Sequence, residues 1–132
     1  MKKILFGLAV LAALGLQATA SDKIKTNMDS MRNGLQSIQD GFSYNNKDQI
    51  LGGIATIRKA NEMFHDTKSA AKYLPNDKQK FAKVSFLSSY SLKTNLDQME
   101  EYVKINKIVD ASDSIAGVVH SCTRCHAIVR GW

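Results

Sequence analysis

Residues 108–129 read IVDASDSIAGVVHSCTRCHAIV, and this stretch decides how the chain folds. Its apolar side chains recur at alternating intervals of three and four residues, the spacing at which side chains share one face of an α-helix. The stretch therefore predicts an amphipathic helix whose buried stripe carries the only two cysteines of the chain. The stripe consists of Ile108, Ala111, Ile115, Val118, Cys122, Cys125 and Val129.

The end of this helix contains the pentapeptide Cys122-Thr123-Arg124-Cys125-His126. Cys-x-x-Cys-His is the spacing that attaches a c-type haem, because two thiols bond to the porphyrin and the adjacent imidazole coordinates the iron. His126 lies about 40° around the helix from Cys122, so its ring faces the same side. The motif predicts one haem c, with Cys122 and Cys125 as the covalent attachment sites and His126 as the proximal iron ligand.

Other sites also use closely spaced cysteines. A redox-active Cys-x-x-Cys follows a strand in a βαβ unit, and no such pattern surrounds this one. A structural zinc site takes four ligands, usually as two closely spaced pairs, whereas this sequence offers one pair and one adjacent histidine. A haem-free helical bundle in which the motif occurs by chance is the remaining alternative.

The first twenty residues have the composition of a secretory signal peptide. Two lysines precede a short apolar run, and Ala18-Thr19-Ala20 forms a small-residue cleavage site. The apolar run is shorter than the roughly 18 to 20 residues of a membrane-spanning helix. We therefore expect export to the periplasm, cleavage after residue 20, and no stable membrane insertion of the mature chain.

The mature chain, residues 21–132, is long enough for one domain with a modest core. Removing Lys2 and Lys3 from the 18 basic side chains leaves 16, against 12 acidic ones. A basic balance suits docking to acidic redox partners, and its dispersion along the chain gives nucleic-acid binding little support. One proline and few alternating β-branched residues disfavour an all-β fold.

Two amphipathic helices are predicted in the first half of the mature chain. The first spans residues 22–42, where apolar positions alternate at intervals of four and three. The second follows Asn46, whose spacing to Gln49 is typical of a helix N-cap, and it runs to about residue 64. Adjacent glycines at 52 and 53 weaken this helix locally and permit close approach of a neighbour.

A third helix is predicted after the longest connection, residues 66–75, which has helical character only around residues 69–73. This helix begins at Asn76, which has the same capping spacing to Gln79, and it reaches about residue 103. Four helices with mostly short links predict an all-α fold, an antiparallel up-down-up-down four-helix bundle. Small residues in the third helix leave room for a bulky group, namely Ser85, Ser88 and Ser89.

A second iron ligand is predicted from the height of Met28 in such a bundle. Met28 is about six residues into the first helix and His126 about four from the end of the last, so at about 1.5 Å per residue they lie at nearly the same height. Both side chains point to the core. Met28 is therefore the candidate distal ligand, Met31 is the alternative, and a role as core filler is open to either.

Both ends of the mature chain resemble known haem proteins. The segment Cys122-Thr123-Arg124-Cys125-His126-Ala127-Ile128-Val129-Arg130 resembles the C-terminus of the cytochrome c prime family, in which an arginine often lies four residues after the histidine. Val129 stands where that family often has an aromatic residue. Asn27-Met28-Asp29-Ser30-Met31 is similar to the first helix of the periplasmic b-type cytochromes with the same bundle fold. That likeness, and the low-spin branch of the c prime family, imply Met28 as the sixth iron ligand.

Four further residues are candidates for the haem pocket. Phe81 and Phe86 are aromatic side chains that could flank the porphyrin, and Arg124 and Arg130 are cations that could pair with its propionates.

These residues lead to two functional hypotheses. With both axial ligands in place, the expected function is electron transfer by a small mono-haem protein, a monomer or homodimer, with no enzymatic activity. The resemblance to most of the c prime family implies the alternative, a five-coordinate iron whose open distal face binds nitric oxide or carbon monoxide.

Overall fold

The computed structural model describes residues 20–131. Over this range the chain is all-helical, as the sequence predicts, and the part described contains no strand. Each of its helices is too short or too polar to span a membrane. The predicted signal peptide falls almost entirely on residues 1–19, which lie outside the described residues. The five α-helices are α1 (Ala20–Ser43), α2 (Lys47–Asn61), α3 (Thr67–Tyr73), α4 (Ala82–Lys104) and α5 (Ile108–His126).

The turn between α1 and α2 follows the predicted capping chemistry. The Asn46 side chain accepts a hydrogen bond from the backbone N–H of Gln49 at 3.1 Å, which satisfies one of the free donors at the start of α2. Asn46 itself donates its backbone N–H to the carbonyl of Gly41 at 2.8 Å. The prediction of an N-cap at Asn46 is confirmed.

The prediction that the third long helix begins at Asn76 is wrong. Residues Asn76–Phe81 form a 3₁₀ segment, and the α-helix begins only at Ala82. Lys78 donates its backbone N–H to the carbonyl of Pro75 at 2.8 Å, the three-residue spacing of the tighter helix. The Asn76 side chain accepts from the side chain of Gln79 at 3.3 Å, so the two polar groups bond to each other instead of capping a backbone.

Two other boundaries differ from the prediction. The helical character expected around residues 69–73 is a separate short helix, α3, which the Asp66 side chain caps by accepting from the N–H of Ser69 at 2.7 Å. The last helix was expected to continue as α-helix to Val129. Instead α5 ends at His126 and a wider π turn follows, Ala127–Gly131, in which Val129 is still buried.

The buried apolar side chains form two clusters. The aliphatic core unites the four long helices and consists of Ile38, Ile50, Ile54, Ile57, Leu92, Leu96, Met99, Val103, Ala111 and Val118. The motif-end cluster is the group of buried side chains that Cys125 of the cysteine motif contacts. It consists of Met63, Phe64, Ala70, Leu74, Ala82 and Val129.

Close helix packing is concentrated in two pairs, α1 with α2 and α4 with α5. In the first pair the backbones touch, because a Cβ added to Gly53 would lie 2.5 Å from the carbonyl oxygen of Gly34. Gly52 faces open space, so only one of the two adjacent glycines serves the close approach that the sequence predicts. Among the described residues, α1 and α5 are not a closely packed pair, yet side chains of both contact the motif-end cluster.

Candidate functional site

The two cysteines are half-buried on α5, and Cys125 packs against the motif-end cluster. The Cys125 thiol lies 3.8 Å from the hydroxyl oxygen of Ser85 on α4. Burial, and then the nearby Cys125, raise the pKa of Cys122, and burial raises the pKa of Cys125 against the opposing hydrogen bond with Ser85. Both thiols are therefore protonated at neutral pH, unlike the reactive thiol of a redox dithiol, whose pKa is lowered.

His126 lies half-buried at the last residue of α5. Burial lowers its pKa, and the positive charge of Arg130 lowers it further. The imidazole is therefore neutral at pH 7, and neutral imidazole is the form that coordinates a metal.

The two candidate methionines differ in what they contact. Both Met28 and Met31 are half-buried and pack against the motif-end cluster. Met31 also packs against the aliphatic core, so it belongs to both regions. Of the two, Met28 is the one that packs only at the end where Cys125 lies.

Of the four remaining residues predicted for the haem pocket, one lies at the motif-end cluster and three do not. Phe81 is half-buried against the motif-end cluster, whereas Phe86 is half-buried outside both clusters of the described residues. Arg124 and Arg130 are exposed. The structure thus brings four of the predicted residues to one cluster: Met28, Met31, Phe81 and Cys125.

Sequence reasoning missed several residues that line this site. Met63 is buried in the motif-end cluster, and its sulfur accepts a hydrogen bond from the Asn27 side chain at 3.0 Å. Leu74 closes the same cluster from the extended residue after α3. Helical spacing on α2 does not identify Met63, because that residue lies in the 3₁₀ turn Glu62–Phe64, where the α-helical period no longer applies.

A polar layer lies along α4 between the stretch that meets the motif-end cluster and the stretch that meets the aliphatic core. Ser85, Ser88 and Ser89 are all buried, and the room for a bulky group at these small residues stays a prediction. The Asn61 side chain donates to the carbonyl of Ser89 at 3.0 Å. Ser88 differs, because its hydroxyl oxygen is the one buried side-chain polar atom within residues 20–131 that has no hydrogen-bond partner.

The side chains at this end fit a c-type haem. Two cysteine thiols, an imidazole and a thioether are the groups that covalent attachment and iron ligation require. Buried polar atoms in folded proteins are nearly always hydrogen-bonded, and Ser88 on α4 is the exception among the described residues. Ser85, in the same row on α4, is the serine that contacts Cys125.

Within the described range, no three His, Cys, Asp or Glu side chains come together in a way that could hold a metal ion by themselves. Comparisons of the chain with protein-family models, with curated proteins and with solved structures find no match. The residues of the site therefore carry the functional inference.

Proposed function

We propose that this chain carries one covalently attached haem c and transfers electrons in the periplasm. The observation that carries the proposal is that Met28 and Cys125, from opposite ends of the mature chain, pack against one apolar cluster. His126 follows Cys125 directly, so a thioether and an imidazole lie at the same end of the molecule. Histidine and methionine are the axial ligand pair of electron-transferring c-type cytochromes.

Each residue of the site has a distinct task in this proposal. When bound, the haem supplies a one-electron iron couple. Cys122 and Cys125 would hold it through thioether bonds, and His126 and Met28 would be its axial ligands. A neutral imidazole offers a lone pair without losing a proton first, and a thioether favours the ferrous state, which raises the reduction potential.

The motif-end cluster contributes by excluding water. Its buried members are apolar, and Phe81 packs against them from the side of α4. A dry apolar surrounding disfavours extra charge on the iron and so tunes the potential in the same direction as the thioether.

We propose the finer architecture as well, an antiparallel up-down-up-down bundle of the four long helices. Contacts between α1 and α2 support it, because partner numbers fall as residue numbers rise: Gly34 with Ile57, Ile38 with Gly53, and Gly41 with Ile50. The same relation holds between α4 and α5, where Ser91 meets Ser121 and Ser85 meets Cys125. This order brings the start of α1 and the end of α5 to the same end of the bundle, where side chains of both contact the motif-end cluster.

We propose membership of the cytochrome c prime family and export on the basis of sequence. The family assignment rests on the segment from Cys122 to Arg130 and on Met28, and export rests on the charged, apolar and small-residue order of residues 1–20. A c-type haem is attached outside the bacterial cytoplasm, so the two assignments support each other.

Mass spectrometry and absorption spectroscopy of the exported protein test the proposal. The mature chain should begin at Ser21 and carry the mass of one haem. Ferric and ferrous spectra should be low-spin and should include the long-wavelength charge-transfer band of thioether-ligated ferric iron. A mature chain without haem would refute the function outright.

The variants Met28→Ala and Met31→Ala form a matched pair, because both methionines are half-buried at the same cluster. Met28→Ala should convert the protein to a high-spin form that binds carbon monoxide when reduced, whereas Met31→Ala should remain low-spin. The reverse outcome would make Met31 the ligand.

Binding of nitric oxide or carbon monoxide by the unmodified protein is the second candidate function. The observation in its favour is that Met63, Phe64 and Leu74 are buried in the cluster against which Met28 packs, so a vacated distal side would be mainly hydrophobic. High-spin spectra of the unmodified protein in both oxidation states would favour this function over electron transfer.

A further inference from the structure

The net charge of the described chain is concentrated in one short segment. Residues 67–83 hold five lysines and one aspartate. The other described residues hold eleven basic and eleven acidic side chains, which cancel. The net charge of the whole sequence does not reveal this segment, and its lysines are spaced rather than consecutive, so no basic run marks it. They form what we call the lysine surface: Lys68, Lys72, Lys78, Lys80 and Lys83.

Three of the five lysines lie over aromatic rings that border the motif-end cluster. Lys78 and Lys80 lie over the ring of Phe81, with their ammonium nitrogens 6.0 Å and 5.1 Å from its centroid. The ammonium of Lys72 lies 5.8 Å from the ring centroid of Tyr73. Both aromatic rings pack against the cluster that Cys125 contacts. One layer of aromatic side chains therefore separates the lysine surface from the candidate site.

The charges of this surface are available to a partner. Four of the five lysines are exposed, and Lys78 is partly exposed. The single acidic side chain of the segment, Asp77, lies 3.9 Å from Lys78, at the outer limit of an ion pair, and is itself exposed. A cation at such a distance in water retains most of its field toward an approaching molecule.

We propose that the lysine surface is the docking surface for an acidic protein, the electron-transfer partner of the site beneath it. The partner assignment rests on the proposed function, whereas the acidic character of the partner rests on the charge distribution alone. A localised positive field orients an acidic partner during diffusion and brings it to this end of the molecule, which raises the association rate most at low ionic strength.

An acidic protein fits this surface better than an anionic membrane does. Proteins that bind membrane surfaces combine cations with exposed apolar side chains that enter the bilayer. The described residues include seven large exposed apolar side chains, and none of them lies in residues 67–83. The aromatic rings of this segment are turned onto the motif-end cluster instead.

Binding of poly-L-glutamate tests the surface directly. Isothermal titration at about 0.01 M salt, where the Debye length is about 30 Å, compares the haem-loaded protein with two charge-reversal variants. Lys72→Glu with Lys80→Glu reverses the lysine surface, and Lys47→Glu with Lys107→Glu makes the same change in net charge at exposed positions far from it. The first variant should bind about tenfold more weakly, and the second should stay within about twofold of the parent.

Oxidation of the reduced protein by hexacyanoferrate(III), an anionic probe, supplies the second measurement. Its rate should fall several-fold in the Lys72/Lys80 variant and remain nearly constant in the Lys47/Lys107 variant. If the purified protein carries no haem, the proposed function fails at this step, while the titration with poly-L-glutamate still decides whether the surface binds acidic chains.

Two outcomes would overturn the proposal. Equal weakening by both variants would mean that total charge, and not the lysine surface, governs binding. Binding to vesicles of anionic phosphatidylglycerol that depends on Lys72 and Lys80, with no binding of poly-L-glutamate, would make the surface a lipid-binding site. Far-ultraviolet circular dichroism of each variant confirms that the fold is retained before either result is interpreted.

Discussion

The aliphatic core and the motif-end cluster differ in the elements and in the side chains that build them. The four long helices supply the core, whereas the buried members of the motif-end cluster come mainly from the short segments: the 3₁₀ turn after α2, α3 with the residue after it, and the π turn. The core consists mainly of isoleucine, leucine and valine, and its members are between 0% and 4% exposed. The motif-end cluster contains Met63, Phe64 and Leu74, is up to 9% exposed, and is bordered by the half-buried Met28 and Cys125. The core has one methionine, Met99, whereas the motif-end cluster contains Met63 and is bordered by Met28 and Met31. Methionine adapts to the shape of its surroundings, whereas branched side chains with few rotamers define one packing.

The boundary between the two regions is polar. Ser121 on α5 donates its hydroxyl to the Ser91 hydroxyl at 3.0 Å on the side of the aliphatic core, where the hydrogen bonds are satisfied. Ser88, toward the motif end, is buried without a partner among the described residues. The comparison teaches that Ser121 and Ser91 satisfy each other beside the core, whereas the Ser88 hydroxyl is left unpaired between the two regions.

The largest predicted effect compares Leu96→Ala in the core with Leu74→Ala in the motif-end cluster. Leu96 is 0% exposed, and its removal should lower the free energy of unfolding by about 4 kcal/mol because the aliphatic neighbours cannot collapse into the cavity. Leu74→Ala should lower the free energy of unfolding by only about 2 kcal/mol, because the flexible side chain of Met63, which is buried in the same cluster, can shift toward the cavity. Equilibrium unfolding in urea measures both, and equal costs would remove the distinction between the two regions.

Helix periodicity predicts the regular parts of this fold well. Apolar spacing of three and four residues predicts α1, α2, α4 and α5. One face of each long helix is buried, and the residues of that face recur in the sequence at this spacing. The N-cap at Asn46 was predictable for a local reason, since a side chain bonds to a backbone group three residues away. The position of Cys125 on the apolar face of the last helix likewise predicts that its side chain packs against other buried residues, as it does at the motif-end cluster.

The irregular parts were not predictable in the same way. The segment Asn76–Phe81 is a 3₁₀ helix whose last residue, Phe81, packs against the motif-end cluster, and that contact joins parts of the chain that are distant in sequence. The π turn after His126 and the contribution of Leu74 depend on tertiary packing for the same reason. The lysine surface was missed because its lysines are spaced along residues 67–83 and form no consecutive basic run.

The second prediction uses two adjacent glycines that differ only in their surroundings. A Cβ on Gly53 would lie 2.5 Å from the Gly34 carbonyl oxygen and would force α1 and α2 apart, so Gly53→Ala should destabilise the protein by about 2 kcal/mol. Gly52→Ala meets no atom within 4 Å and should stabilise it by about 0.5 to 1 kcal/mol through helix propensity. Thermal unfolding of the two variants gives the signs, and a destabilising Gly52→Ala would contradict the assignment of open space.

The smallest predicted effect concerns the ion pairs between α2 and α4, beside the aliphatic core. Arg58 donates to Asp97 at 2.9 Å and to Glu100 at 2.6 Å. Lys93 first, and then Arg58, lower the pKa of Asp97, while Lys104 first, and then Arg58, lower the pKa of Glu100. In the folded state both carboxyls therefore bind protons less readily than in the unfolded state.

The sign of the pH dependence follows from these lowered pKa values. The stabilisation is complete above the unfolded pKa values of about 4, and it is lost as the pH falls through the folded ones. Arg58→Gln should cost less than about 1 kcal/mol at pH 7, because Asp97 is 44% exposed and water screens the pair, and nearly nothing at pH 2. Urea unfolding at the two pH values measures the difference, with Lys59→Gln, the exposed neighbour, as the control for lost charge. A cost of Arg58→Gln that is independent of pH would mean that the arginine stabilises α2 and α4 by packing its aliphatic stem rather than by its charge.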